Sequence, residues 1–180
     1  MAIDCPECGK KAFMVNTLHK VMHFGEVLIS NVRCENCGYN SNDILPAKQK
    51  KPKIFYVKIN TTKDLETKIV KSSTAFIEVP ELGLSLLPTP SSQGYITNIE
   101  GLLEKVQDSL ESIAFLEDSK EQREKISEQI KKIEKARNAE LKFKVIVEDA
   151  FGNSALIGKK AKSKPLSKKR IEELRKLMGL

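Results

Sequence analysis

Apolar residues recur at two different periods along the chain. In several short segments they cluster with β-branched and aromatic residues between prolines and glycines, a pattern typical of β-strands. Before residue 90 these segments are Ile54–Ile59, Ala75–Val79 and Leu82–Leu87. Leu141–Val147 and Ala155–Ile157 follow much later and have the same character. Together they predict the strands of a β sandwich or barrel.

Between the two groups of strands the apolar positions change to helical spacing. The first helix is predicted by Ile99, Leu102, Leu103, Val106, Leu110 and Ile113. Thr97–Glu100 has the form of a capping box at its start.

A second cap begins at Ser119 and precedes an otherwise charged helix with one narrow apolar stripe. The stripe consists of Ile126, Ile130 and Ile133. Two helices joined by a short turn predict an antiparallel hairpin at about residues 98–138. Because neither group of strands has enough members to close a core alone, we expect the hairpin to be inserted into one β domain. The predicted fold class is therefore mainly β with an α insertion.

All four cysteines lie in two Cys-x-x-Cys pairs, Cys5 with Cys8 and Cys34 with Cys37, and a glycine follows each pair. Four thiolates suit tetrahedral Zn²⁺, and four protein ligands leave no open position for a substrate. The glycines permit the tight turn that a metal-binding knuckle needs. Two apolar runs between the pairs predict the strands of a zinc ribbon, which are too few to fold without metal. We therefore expect one structural zinc ion in a ribbon at residues 1–45.

Other uses of these residues stay open. A rubredoxin-type iron site has the same four ligands, and a dithiol redox centre needs only one of the pairs. His19 and His23 are four residues apart and would share one face of a helix as further ligands. Because the four-cysteine set is complete, we favour one zinc ion and two ordinary ribbon histidines.

Composition and charge restrict the class of function. Hydrophobic residues make up 40% of the chain and charged residues 31%, with neither a membrane-spanning apolar segment nor a signal-peptide pattern, so we expect a cytoplasmic globular protein. The net charge is +7, but nine of the 31 Lys and Arg residues and only two of the 24 Asp and Glu residues lie in residues 159–180. The body is therefore neutral, which argues against a broad phosphate-binding face.

We divide the chain into the ribbon, a β domain at 46–158, and a basic C-terminal tail or helix at 159–180.

Motifs for catalysis are missing from the sequence. Both histidines lie in the ribbon, so the β domain lacks the two histidines of a non-haem iron enzyme. There is no P-loop, and Ser72 and Ser73 have no neighbouring base. We expect a protein that is not an enzyme, with no catalytic residue, no cofactor besides zinc and no small-molecule substrate.

Several motifs, in their order along the chain, resemble the ZPR zinc-finger proteins. They are Cys34–Asn42, Lys71–Ala75 with Pro80–Leu82, Glu100–Leu103, Gly152–Ser154 and the ending Glu172–Leu180. The spacing of 25 residues between the cysteine pairs is also similar, and the resemblance covers almost the whole chain. It implies a zinc finger similar to that of translation initiation factor 2 beta, joined to a double-stranded β-helix domain that carries a helical hairpin.

The resemblance also implies a function. Eukaryotic members hold two such modules and bind translation elongation factor 1-alpha, acting in its folding or maturation. This chain holds one module and looks like the single-module type expected of archaea, so the expected partner is the archaeal homologue of that factor. The less favoured alternative is a zinc ribbon that binds nucleic acid or the ribosome through the basic residues of Lys48–Lys53 and the tail.

Overall fold

The computed structural model describes residues 1–21, 25–47, 50–89 and 91–178. Within these ranges, twelve β-strands form three antiparallel sheets. The strands are β1 (Ala2–Asp4), β2 (Lys11–Val21), β3 (Gly25–Arg33), β4 (Asn40–Pro46), β5 (Lys53–Ile59), β6 (Lys68–Lys71), β7 (Ala75–Val79), β8 (Leu84–Leu86), β9 (Tyr95–Asn98), β10 (Phe143–Asp149), β11 (Ala155–Ile157) and β12 (Lys162–Pro165). The helices are α1 (Ile99–Leu116), α2 (Lys120–Arg137) and α3 (Lys168–Leu177), with short 3₁₀ helices at Thr62–Glu66 and Pro80–Leu82.

The N-terminal sheet is the predicted ribbon. Its strands follow one another in the order β1-β2-β3-β4, and β2 and β3 form the hairpin that the apolar runs predict. β1 pairs with the start of β2, and β4 pairs with β3 along seven residues. The sequence did not indicate β4, because its first four residues, from Asn40 to Asp43, are polar.

Two further sheets pack face to face as a jelly roll. The larger has the strand order β12-β5-β10-β7-β8, and the smaller has the order β11-β6-β9. Each sheet combines strands that precede the helical hairpin with strands that follow it, which confirms that the hairpin is an insertion in one β unit. The core between the sheets consists of fully or almost fully buried aliphatic side chains, among them Val57, Ile59, Ile69, Ile77, Val145 and Leu156.

The first inserted helix, α1, starts one residue later than the capping box predicts. Asn98 is its N-cap, and the side-chain oxygen of Asn98 accepts a hydrogen bond from the Gly101 amide at 2.8 Å. Thr97 belongs instead to β9, where it pairs with Ile69. Because Thr97 is still paired in the β-strand, it lies before the N-cap position, and Asn98 is the N-cap instead.

The second inserted helix, α2, returns along α1 as predicted. The Ser119 hydroxyl accepts a hydrogen bond from the Gln122 amide at its start. Near its end Ile133 is fully buried in the core, and Arg137 donates hydrogen bonds to Glu104 and Gln107 on α1. The hairpin is thus fixed at the end next to the jelly roll.

The C-terminal segment docks on the jelly roll. β12 pairs with β5, and Ser167 is the N-cap of α3, where its hydroxyl accepts a hydrogen bond from the Arg170 amide. Leu174 is buried in a small cluster with Phe76 and Ala150. The boundaries at residues 45 and 158 stay predictions.

A truncation on the buried face of α3 tests this docking. We expect Leu174→Ala to lower the free energy of unfolding by about 2–4 kcal/mol, because it removes buried methyl groups and leaves a cavity. Leu177→Ala on the same helix is the control, since Leu177 is 51% exposed and its truncation changes stability by less than about 0.5 kcal/mol. Urea unfolding of both variants measures the difference. Equal stability of the two variants would show that α3 is not docked in solution.

None of the helices in the described ranges combines the length and the hydropathy needed to cross a lipid bilayer. The expected cytoplasmic location stays a prediction.

Candidate metal centre

Two matching knuckles bring the cysteine pairs to one end of the ribbon. In the first knuckle the Gly9 amide donates to the Cys5 carbonyl at 2.9 Å, and in the second the Gly38 amide donates to the Cys34 carbonyl at 3.0 Å. Both glycines have positive φ, +69° and +76°, which confirms the turn expected after each pair. The repeated turn places the second cysteine of each pair back beside the first.

The four sulfur atoms lie at the distances that a tetrahedral metal site needs. All of them are within 4.8 Å of one another, with Cys5 Sγ 3.6 Å from Cys37 Sγ and Cys8 Sγ 3.7 Å from Cys34 Sγ. A Zn–S bond of about 2.3 Å in a regular tetrahedron puts the sulfurs about 3.8 Å apart. The four cysteines are therefore positioned to bind one zinc ion. Because both pairs converge on one point, the arrangement does not favour an isolated dithiol pair.

The surroundings of the cluster differ on its two sides. Cys5 and Cys34 are buried against Ala12, whereas Cys8 is half-buried and Cys37 is exposed. On the outer side the Asn36 amide donates to Cys8 Sγ at 3.5 Å, and a hydrogen bond from Lys10 in turn holds the Asn36 oxygen. Such donors stabilise thiolate charge and orient the ligand for a metal.

Two cysteines of the cluster have shifted pKa values. The backbone amide of Lys10 is the main reason that the pKa of Cys8 is lowered to about 6. For Cys37 the Tyr39 amide acts in the same direction, but partial desolvation and the hydrogen bonds with the other three cysteines together raise its pKa to about 12. One cysteine of the cluster thus loses its proton readily, whereas the negative charge that results disfavours deprotonation of the others. A divalent cation bound by the cluster would offset this charge.

His19 does not join the cysteine cluster. His19 lies on β2 opposite Val27 and is exposed. The idea of a helical His pair is therefore wrong for His19, because this residue lies in a β-strand and not in a helix. His23 lies outside the described residues.

A second polar centre, which sequence reasoning missed, lies around the buried carboxylate of Asp149. This carboxylate accepts hydrogen bonds from five donors at 2.7–3.0 Å. The donors are the hydroxyls of Ser72, Thr74 and Ser154 and the amides of Phe151 and Asn153. Two of the motifs that resemble the ZPR proteins, Lys71–Ala75 and Gly152–Ser154, meet here. The expectation that Ser72 has no neighbouring base is therefore wrong, because the Asp149 carboxylate accepts its hydroxyl hydrogen bond; the Ser72 side chain is fully buried in this network.

The ribbon is tied to the jelly roll beside this polar centre. Asp43 on β4 accepts a hydrogen bond from the Ser73 amide at 3.1 Å, and the Gly94 amide donates to the Asn42 carbonyl at 2.9 Å. Lys71 is buried and donates to the carbonyls of Ser72 and Gln93. Burial lowers the pKa of Lys71, although the charges of Asp43 and Asp149 oppose this shift.

An apolar contact completes the junction. Val27 and Ile44 of the ribbon and Val70 of β6 are buried together, with Ile29 and Ile157 packed against them. The cysteine cluster is therefore held by a sheet whose other end is fixed to the jelly roll.

Comparison with known proteins supports the same two units. Residues 1–52 match the ZPR1 zinc-finger domain, and residues 63–176 match the ZPR1 jelly-roll domain. A ZPR1-like protein of Pyrococcus horikoshii is 38% identical over 178 residues, which cover 96% of this chain and 80% of the relative. A ZPR1-like protein of Methanocaldococcus jannaschii is 34% identical over 175 residues, which cover 96% and 88%.

Eukaryotic relatives are longer. The zinc finger chaperone zpr1 of Schizosaccharomyces pombe is 33% identical over 161 residues, which cover 84% of this chain but 34% of that protein. The names of the relatives describe zinc-finger and chaperone proteins and not a class of enzyme. The cysteine cluster, the jelly roll with its helical hairpin and the similarity over nearly the whole chain agree, and the protein belongs to the ZPR1 zinc-finger family.

Proposed function

We propose that this chain is a zinc-dependent chaperone module that binds the archaeal homologue of translation elongation factor 1-alpha and assists its folding or maturation in the cytoplasm. The relative from Schizosaccharomyces pombe is named as a chaperone, which supports the general role. The elongation factor as partner rests on the resemblance of the sequence motifs. We propose no catalytic residue, and Cys5, Cys8, Cys34 and Cys37 as the zinc ligands.

The observation that carries the proposal is the apolar end of the helical hairpin. Three large apolar side chains in the last turn of α1 and just before it are open to solvent: Ile113 is 52% exposed, Phe115 88% and Leu116 78%. We call them the hairpin tip. The apolar positions that predict α1 all lie within this helix, including Ile113, but its buried residues, Ile99, Leu102 and Leu103, lie in its first turns. Clustered exposed apolar groups mark a surface that binds another protein.

The ribbon offers a second apolar surface. Leu18, Leu28 and Leu45 lie directly opposite one another on β2, β3 and β4. Because strand residues alternate between faces, this row lies on the opposite face from Val27 and Ile44, which pack on the jelly roll. Leu18 is 58% exposed and Leu45 39%. Zinc at one end and the junction at the other hold this surface in shape before a partner arrives, which lowers the ordering cost of association.

Calorimetry with the elongation factor of the same organism tests the proposal. We expect Phe115→Ser combined with Leu116→Ser to weaken binding about 100-fold, since central aromatic and aliphatic anchors dominate interface energies. Zinc removal by a chelator is expected to abolish binding. Leu177→Ser removes an exposed apolar side chain from α3 and serves as the control that keeps wild-type affinity. Unchanged affinity of the hairpin-tip variant would contradict the proposed contact, and the absence of binding by the wild-type protein would contradict the partner.

The nucleic-acid alternative has less support from the described residues. Arg170 in the basic tail is engaged by Glu148 and Glu173 at 2.6–3.1 Å, so its charge is already compensated. The Lys48–Lys53 segment falls partly outside the described residues. If RNA were the partner, its affinity would fall steeply with salt in proportion to the phosphates contacted. A salt titration against RNA and the elongation factor in parallel separates the two functions.

A further inference from the structure

A cleft of about 890 Å³ opens in the jelly roll, and among the described residues its lining includes neither the four cysteines nor the hairpin tip. Its walls come from both sheets, because β5 contributes Lys53 and Phe55 while β6 and β11 contribute residues from the other side. The chain before β5 and the loop after β11 close its ends. Ligand-binding clefts have volumes of about 300–1,000 Å³, so this one is large enough for a short peptide.

The rim of the cleft is strongly basic. Five lysines and one acidic residue, Glu66, line it. The lysines are Lys50, Lys51, Lys53, Lys68 and Lys159. In the part of the chain that the structure describes, the side chains of Lys51, Lys53, Lys68 and Lys159 form no ion pair. The excess positive charge favours an anionic ligand.

Mutual repulsion is visible within the basic rim. The pKa of Lys50 is lowered by its burial and, in addition, by the charge of Lys53. A ligand that brings carboxylates to this rim would relieve the repulsion and gain attraction to several lysines at once. This supports a ligand with more than one negative group.

The interior of the cleft is apolar and contains a strand edge. Phe55, Leu156 and Ala161 form much of its apolar lining. All three residues of β11 line it, and β11 is the edge strand of its sheet, with β6 as its neighbour on one side. An edge strand presents backbone N–H and C=O groups that an extended segment can pair with.

We propose that this cleft binds an extended acidic peptide segment of a partner protein. The peptide backbone pairs with β11, its apolar side chains lie against Phe55 and Leu156, and its carboxylates meet the lysines of the rim. Among the described residues, the cleft lining includes neither the hairpin tip nor the exposed leucine row of the ribbon, so the site does not depend on the proposed elongation-factor contact. A single-stranded nucleic acid fits less well, because such ligands are bound through several stacking aromatics and Phe55 is the one aromatic residue among the described residues that line the cleft.

Fluorescence anisotropy with the zinc-loaded full chain tests the inference. The probe is a labelled six-residue peptide that alternates valine and glutamate, compared with the same peptide carrying N-methyl groups at alternate amides and with one in which lysine replaces glutamate. We expect binding of the first peptide only. N-methylation keeps the charge and the side chains but removes backbone donors, so a strand-pairing site loses at least about tenfold in affinity for it.

Charge reversal in the cleft gives the matching protein variants. We expect Lys51→Glu combined with Lys159→Glu to weaken the acidic peptide by about tenfold or more, because two attractions become repulsions. Lys131→Glu is the control, because Lys131 is exposed on α2 and lies outside the cleft. This substitution also makes the net charge more negative, but it should leave the affinity for the acidic peptide within about twofold. The proposal would be overturned by any of three results. The control variant could lose as much affinity as the double variant, or the wild-type protein could bind the N-methylated peptide, or a six-nucleotide oligothymidine, as tightly as the acidic peptide. No binding of the acidic peptide at millimolar concentration would overturn it as well.

Discussion

Cys34→Ser is expected to abolish zinc binding and to unfold the cysteine end of the ribbon, while the jelly roll stays folded. The reason is the small size of the apolar cluster around the cysteines, in which the buried members are Cys5, Ala12 and Cys34. Such a cluster cannot offset the conformational entropy of two knuckles, whereas a structural zinc ion contributes an apparent binding free energy of about 10–16 kcal/mol. The jelly roll has its own core between two sheets, and all four cysteines of the candidate metal centre lie outside it.

Elemental analysis and hydrogen exchange by mass spectrometry measure this result. The zinc content of the variant should fall from one ion per chain to almost none, and amide protection should be lost most strongly in residues 2–14 and 33–41. Protection should persist near Val27 and Ile44, because they pack on the jelly roll. Asn36→Ala is the matched control, since it removes the hydrogen bonds to Cys8 and from Lys10 but no metal ligand, and should weaken zinc binding by about 10–100-fold without preventing it. A fully protected ribbon that holds no zinc would contradict the assignment.

Asp149→Ala is expected to lower the free energy of unfolding by about 4 kcal/mol, since it leaves several buried donors without an acceptor. The Asp149 side chain is 1% exposed, so water cannot replace the lost carboxylate without entering the core. The donors belong to the turn after β6 and the turn after β10, and the turn after β6 also contacts the ribbon through Ser73 and Asp43. The variant should therefore also loosen the junction at Asp43 and Ser73.

Urea denaturation of Asp149→Ala and of the control Asp118→Ala measures this effect. Asp118 is an exposed acidic residue in the hairpin turn, and its replacement should change stability by less than about 0.5 kcal/mol. Asp149→Asn should lie between the two, because the amide keeps one acceptor but adds donors where five donors already converge. A loss below about 1 kcal/mol for Asp149→Ala would show that solvent or a rearrangement replaces the carboxylate.

The metal centre was predictable because its determinants are local. A Cys-x-x-Cys-Gly segment fixes both the ligand type and the turn within five residues, so the positions of Cys5, Cys8, Cys34 and Cys37 could be read directly as a ligand set. The core strands β5, β7 and β10 were predictable for a similar reason, since continuous or alternating apolar residues mark them.

The missed features depend on contacts between distant segments. β12 consists of Lys162-Ser163-Lys164-Pro165, all exposed, and pairs with β5 only because the chain returns to that edge. Asp149 looks like a surface residue at the end of a strand, and its burial follows from serines and a threonine that lie 5 to 77 residues away. Neither periodicity nor composition carries that information.

The order of the strands in the two β units has a consequence for biosynthesis. The ribbon sheet is complete once Pro46 has left the ribosomal exit tunnel, whereas β5 must wait for β10 and β12, made about a hundred residues later. N-terminal units that rely on near neighbours fold first during translation. The nascent chain can thus bind its metal early. The zinc finger is then folded before the jelly roll, which completes its sheets only after its last strand has been synthesised.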